Sequence, residues 1–282
     1  MRTTPQHLAT EYRASGAWSE QRIGDLFADS AAVEPARLAI ADPPNRAALD
    51  GAVPRRLDWQ SLCALVDATM VALADAGLRR DDVLITQLPN VVEYVAVYLA
   101  CARLGIVVSP VPMQFRRGEI EPLSRLTKAR AVLTVLTFKG TEHARLATTL
   151  SDGPQVLVLG NQTPPGTRAF VPEPGPTDAA RVRELESAAN VNADDIVTIC
   201  WTSGTEGVPK GVPRSHNHWI SGSVCHYDGA QIRRGDRLLN PFPLVNMAAL
   251  GGCFMSWLRA AGTLIRPDAT GRSRVRIIKP SV

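Results

Sequence analysis

Apolar residues Leu62, Leu65, Val66, Met70 and Leu73 recur at the three- and four-residue spacing of one helix face. Gly77 follows where a C-cap glycine belongs, so the pattern predicts a helix ending there. Residues 83–88 read as a short, largely apolar buried strand stopped by Pro89-Asn90. Residues 91–104 read as a second apolar helix closed by Gly105, and 106–111 as the next strand, before Pro112. The alternation continues with a helix over 117–129, a strand over 131–135, a helix over 141–150 and a strand over 155–159. Repeated strand–helix–strand units of this length predict an α/β fold, with layered, largely parallel sheets flanked by helices.

The remaining segments are less regular. Residues 1–56 are polar, with mixed helical and turn signals; Pro43-Pro44, Asp50-Gly51 and Pro54 mark loops. Residues 160–177 hold five prolines and three glycines and predict a connector without regular structure. It either joins two α/β layers or forms one long surface loop. A short helix over 178–189 and a strand over 196–201 follow. After them come a polar glycine loop and a helix over about 215–226. The organisation expected is an N-terminal helical and loop segment (1–56), a first α/β subdomain (57–159), the connector (160–177), a second α/β subdomain (178–265) and a basic tail (266–282).

The composition allows such a core and excludes other classes. Of 282 residues, 45% are hydrophobic and 21% charged, which rules out a disordered or collagen-like chain. The net charge is +4, and residues 267–282 alone carry Arg272, Arg274, Arg276 and Lys279 against Asp268. The rest is close to neutral, so no nucleic-acid partner is expected. Five scattered cysteines include no C-x-x-C pair and suit no disulfide framework. No basic-then-apolar start suggests a signal peptide, and no apolar run approaches the roughly 18 residues of a spanning segment. A cytoplasmic protein is the expectation.

The stretch that carries chemistry is Thr202-Ser203-Gly204-Thr205-Glu206-Gly207-Val208-Pro209-Lys210-Gly211. It sets three glycines, three hydroxyls and one of four lysines between an expected strand and an expected helix. Glycines let backbone N–H groups approach an anion, hydroxyls donate further hydrogen bonds and a lysine adds charge, which together suit phosphate. The stretch matches neither a Walker A loop nor the G-x-S-x-G of serine hydrolases. His216, His218 and His226 lie close in sequence. The first two fall on different sides of a helix, and no ligand set completes a metal site. Asp194-Asp195 reads as a turn.

Residues 202–211 resemble the phosphate-loop signature T-S-G-T-T-G-x-P-K-G of the adenylate-forming enzymes. These include acyl-CoA synthetases, aryl-acid ligases, luciferases and peptide-synthetase adenylation domains. Glu206 replaces the second central threonine, a variation compatible with the acyl-CoA synthetase branch. Leu57-Asp58-Trp59-Gln60-Ser61-Leu62 is similar to the family's early helix start. Residues 104–111 resemble its L-G-A-V-x-x-P segment. Pro213-Arg214-Ser215-His216-Asn217 resembles the stretch that follows the loop in aryl-acid and medium-chain ligases. Pro241-Phe242-Pro243-Leu244-Val245-Asn246 lines up with the segment bordering the acyl pocket, with Leu244 where many members have histidine or an aromatic. The resemblance covers roughly residues 18–265.

The resemblance implies activation of a small-molecule carboxylic acid with ATP to an acyl-adenylate, then transfer to coenzyme A. It places Thr202, Ser203, Gly204, Thr205, Glu206, Gly207 and Lys210 at the nucleotide, with Thr205 also toward Mg2+. His216 or Asn217 falls at the border of the nucleotide or acyl pocket, and Asn246, Met247 and Gly251 at the acyl pocket; for the histidine a plain helix-start role, and for the last three helix-start and packing roles, stay open. The family's Tyr-Gly-x-Thr-Glu and Thr-Gly-Asp segments and its lid lysine have no counterpart in the sequence. Two expectations follow: an AMP-forming ligase of a fatty or aryl acid, or a truncated, inactive remnant with at most weak nucleotide binding.

Overall fold

In the computed structural model, residues 1–151, 153–173, 179–202 and 209–266 are described. Asp58 starts the first long helix: its carboxylate accepts the Ser61 N–H at 2.7 Å, and the helix runs over Trp59–Asp75. The chain reverses at Gly77, whose φ of +81° is the left-handed geometry glycine tolerates. The next helix, Val92–Leu104, is apolar almost all round and accordingly buried almost all round.

Eleven strands are formed among the described residues: β1 (Leu38–Ala41), β2 (Arg56–Asp58), β3 (Val83–Gln87), β4 (Val107–Pro110), β5 (Ala131–Val135), β6 (Gln155–Leu159), β7 (Arg168–Phe170), β8 (Ile196–Thr202), β9 (Lys210–Ser215), β10 (Arg237–Leu239) and β11 (Thr263–Ile265). Seven make one sheet in the order β7-β6-β5-β3-β4-β8-β9, parallel throughout except for the final β8–β9 pair. The other four make a second sheet in the order β10-β11-β1-β2, with only β1–β2 antiparallel.

The largely parallel, layered α/β architecture read from the sequence is therefore the one observed. Helices Trp59–Asp75 and Val92–Leu104 fill one face of the large sheet, where Trp59 stacks on Trp257 at 5.0 Å. Helix Arg117–Thr127 covers the other face with Ile120 and Leu123, over Ile85, Val132 and Val156.

Several local expectations are corrected. The connector is not free of regular structure, because β7 lies within it and pairs with β6. The helix expected over 141–150 shrinks to His143–Ala147. The 1–56 segment supplies β1, which pairs with β11 more than 200 residues later. The strands before and after the connector share the large sheet, since β8 pairs with β4. The boundary at 160–177 therefore does not separate two sheets.

Candidate functional site

The glycine loop joins two strands rather than a strand and a helix. β8 and β9 pair antiparallel from Ile196↔Ser215 to Thr202↔Lys210, and residues 203–209 connect the two ends. β9 escapes a period-2 reading because Gly211 and Pro213 interrupt it; as an edge strand it tolerates the proline. Thr202 and Lys210 stand exposed at the loop's mouth, with the Thr202 hydroxyl 3.4 Å from the Lys210 carbonyl. The positions expected to hold phosphate at Ser203, Gly204, Thr205, Glu206 and Gly207 lie outside the described residues.

The stem beneath this mouth is tightly built. A Cβ on Gly211 would stand 2.8 Å from Ile199 Cγ2 and 3.1 Å from the Trp201 ring, so only glycine fits. The Trp201 indole N–H donates to the Ser109 hydroxyl on β4 at 2.9 Å. Trp219 likewise donates to Thr198 on β8 at 3.0 Å. Ser215 ends β9 and caps helix His216–Gly229, its hydroxyl accepting the His218 N–H at 3.2 Å.

The residues expected at the acyl pocket take different settings. His216 is 1% exposed and its Nδ1 accepts the Ile23 N–H at 3.1 Å, so its imidazole is engaged inside the protein. Burial lowers its pKa to about 4, which keeps the ring neutral. Asn217 is also buried, bridging Ser19 and Asp194. Asn246 and Met247 are exposed, and the Asn246 carboxamide oxygen accepts the Ala249 N–H at 2.9 Å. That contact opens a π-helical turn, Ala248–Phe254, which contains Gly251 packed 3.4 Å (as a Cβ) from the Trp219 ring. The void beneath, between Leu250, Phe254, Trp219 and Tyr98, holds only about 10 Å³. Among the described residues, no cluster of His, Cys, Asp or Glu could hold a metal ion.

Because β3, β4, β5 and β8 are parallel, the loop after Thr202 opens on the same sheet edge as the loops after β3, β4 and β5. Ligands of open α/β sheets bind at that edge. A cleft of about 300 Å³ lies there, walled by Leu88, Pro89 and Asn90 on one side and Pro241, Pro243 and Val245 on the other. Met113 and Phe138 add apolar surface, and the exposed Lys139 contributes an ammonium group. A larger cavity of about 420 Å³ lies past the ends of β5, β6 and β7, on the opposite flank from β8 and β9. Of its charged residues, Arg46, Arg55, Asp50 and Glu93 are already joined in ion pairs.

Sequence reasoning missed Ser109, Asn90 and Lys139 as site-building residues. Asn90 carried only the signal of a strand stop, Ser109 stood without a role inside the 104–111 segment, and Lys139 carried none.

The chain belongs to the AMP-binding enzyme family, whose pattern it matches over residues 30–279. It is 28% identical over 221 residues to 2-hydroxy-7-methoxy-5-methyl-1-naphthoate–CoA ligase of Streptomyces carzinostaticus, covering 76% of this chain and 38% of that protein. It is 25% identical over 246 residues to medium-chain fatty-acid–CoA ligase of Escherichia coli K12, covering 83% and 40%. The apo structure of MbtA from Mycobacterium smegmatis shares the fold, with a TM-score of 0.72 at 21% identity over 93% of this chain and 46% of that one. The chain thus spans about two fifths of the length of these two curated relatives. No helix among the described residues is long and apolar enough to cross a membrane.

Proposed function

We propose that this chain carries the triphosphate-binding part of an AMP-forming acyl-CoA ligase. The carrying observation is the β8–β9 hairpin, which sets Thr202 and Lys210 at the mouth of a glycine loop on the sheet edge that also holds the apolar cleft. In this reading the loop amides, the Thr202 hydroxyl and the Lys210 ammonium bind the β- and γ-phosphates of ATP. They neutralise charge that grows on pyrophosphate as it leaves. The Thr205 hydroxyl would help hold Mg2+, which would screen the same charge.

The acid's carboxylate oxygen attacks the α-phosphorus, and the bond to pyrophosphate breaks. The products are an acyl-adenylate and pyrophosphate. A thiolate then attacks the acyl carbonyl and expels AMP, leaving a thioester. The 300 Å³ cleft, mainly apolar with Asn90, Gln114 and Asn240 on its walls and one ammonium at its rim, suits the thiol-bearing arm of a phosphorylated thiol such as coenzyme A. Asn246, Met247 and Gly251 are the positions assigned to the fatty or aryl acid; His216, held by Ile23, is left out of that contact set. The cytoplasm, where ATP and coenzyme A are abundant, is the setting this reading requires.

ATP–pyrophosphate exchange with a panel of fatty and aryl acids tests the proposal. Acid-dependent return of labelled pyrophosphate into ATP supports it. ATP binding with no exchange for any acid favours the second reading, a chain that holds nucleotide without turning it over.

A further inference from the structure

One wall of the cleft is held by side chains rather than by a neighbouring strand. The Asn90 carboxamide grips it twice: Nδ2 donates to the Phe242 carbonyl at 2.8 Å, and Oδ1 accepts the Leu244 N–H at 3.0 Å. The Tyr98 hydroxyl donates to the Leu244 carbonyl at 2.6 Å, and Asn240 Oδ1 accepts the Phe242 N–H at 3.0 Å. The backbone groups of Phe242 and Leu244 are thus satisfied by three side chains.

Asn90 itself has a rigid footing. It follows β3 in a tight turn in which the Val91 N–H donates to the Pro89 carbonyl at 2.8 Å. The next residue, Val92, starts the buried helix and donates its N–H to Asp42 Oδ1 at 2.8 Å. Asn90 therefore ties a fixed wall, Leu88 and Pro89, to the opposing wall of Pro241, Pro243 and Val245.

We propose that Asn90 is the positioning residue of this cleft, its carboxamide setting the width that admits the phosphorylated thiol. The thiol as occupant rests on the function proposed above; the clamp itself does not. The grip needs one donor and one acceptor on a single short side chain, which asparagine supplies. Aspartate keeps the acceptor for Leu244 but turns a second acceptor toward the Phe242 carbonyl. Alanine loses both contacts.

The test combines amide hydrogen exchange with equilibrium titration of coenzyme A and of ATP into the full chain. In Asn90→Ala the Leu244 amide is expected to exchange about tenfold faster or more, while Ile85 in β3 keeps its protection. In Asn90→Asp the Leu244 amide stays within about threefold of wild type, because its acceptor remains. Both variants are expected to bind coenzyme A about fivefold more weakly or worse, with ATP affinity within about twofold of wild type.

Unchanged Leu244 exchange in Asn90→Ala, or a parallel fall in both affinities, overturns the proposal. If lost Ile85 protection shows that Asn90→Ala does not fold, the isosteric Asn90→Asp carries the test through its coenzyme A and ATP affinities. A wild-type chain that binds ATP but no coenzyme A contradicts the thiol reading, and the Leu244 exchange still decides the clamp.

Discussion

The indole N–H of Trp201 donates to the Ser109 hydroxyl at 2.9 Å. Trp201 immediately precedes Thr202 at the loop mouth, and Ser109 lies a few residues before Pro112 and Met113 in the cleft lining. This bond adds to the β4–β8 pairing in tying the stem below Thr202 to the strand that leads to the cleft.

Breaking that tie should loosen the mouth. Ser109→Ala leaves the half-buried indole N–H without an acceptor and is expected to cost about 1–3 kcal/mol. Trp201→Phe keeps an aromatic ring against Gly211 but leaves the fully buried Ser109 hydroxyl without this donor, so its cost should be at least as large, about 1–3 kcal/mol. Urea unfolding measures both. Equal and negligible losses would show that the bond does not hold the stem.

Acid should destabilise the fold through its buried histidines. Burial lowers His216 to about 4 and His143, to a lesser degree also facing Arg116, to about 4. In the unfolded chain a histidine titrates near 6.5. The unfolded chain therefore takes up protons that the folded one refuses as pH falls from about 6.5 toward 4. Stability is full above that window and declines through it, by an amount on the order of 3 kcal/mol for His216. Thermal midpoints measured from pH 7.5 downward should fall, and His216→Asn, which retains an acceptor for Ile23, should shallow the slope. A flat wild-type profile would contradict this.

Arg266 is expected to be a stability cost. It is 1% exposed, and its three guanidinium nitrogens have no hydrogen-bond partner among the described residues. Burial pulls its pKa down to about 10 in spite of the attraction of Asp42 and Glu93. A buried cation without acceptors costs more than its long-range partners return. Arg266→Met should raise stability by about 1–3 kcal/mol in urea unfolding. A loss of similar size would show that the attraction of Asp42 and Glu93 outweighs burial.

The elements legible in the sequence are those whose own pattern decides their fate. β3, β5 and β6 are buried runs bounded by breakers, and helix Trp59–Asp75 carries its face, its cap Asp58 and its stop Gly77 in one stretch. The second sheet was not legible, because Leu38–Ala41 is too short to signal alone and its partner β11 lies at the far end of the chain. β9 hid behind Gly211 and Pro213, residues it needs for packing on Trp201 or tolerates at an edge. At the site, the loop announced itself through residue types. The Trp201–Ser109 bond and the Asn90 clamp are contacts across 92 and more than 150 residues, which no local pattern encodes.

The proposed function requires a triphosphate held between Thr202 and Lys210. Calorimetric titration of ATP into the wild-type chain and into Lys210→Ala addresses that claim most directly. The expected result is saturable wild-type binding that also raises the thermal midpoint, with affinity reduced roughly tenfold or more in the variant. Equal affinity in the two proteins, or a wild type that neither binds nor shifts, would contradict it.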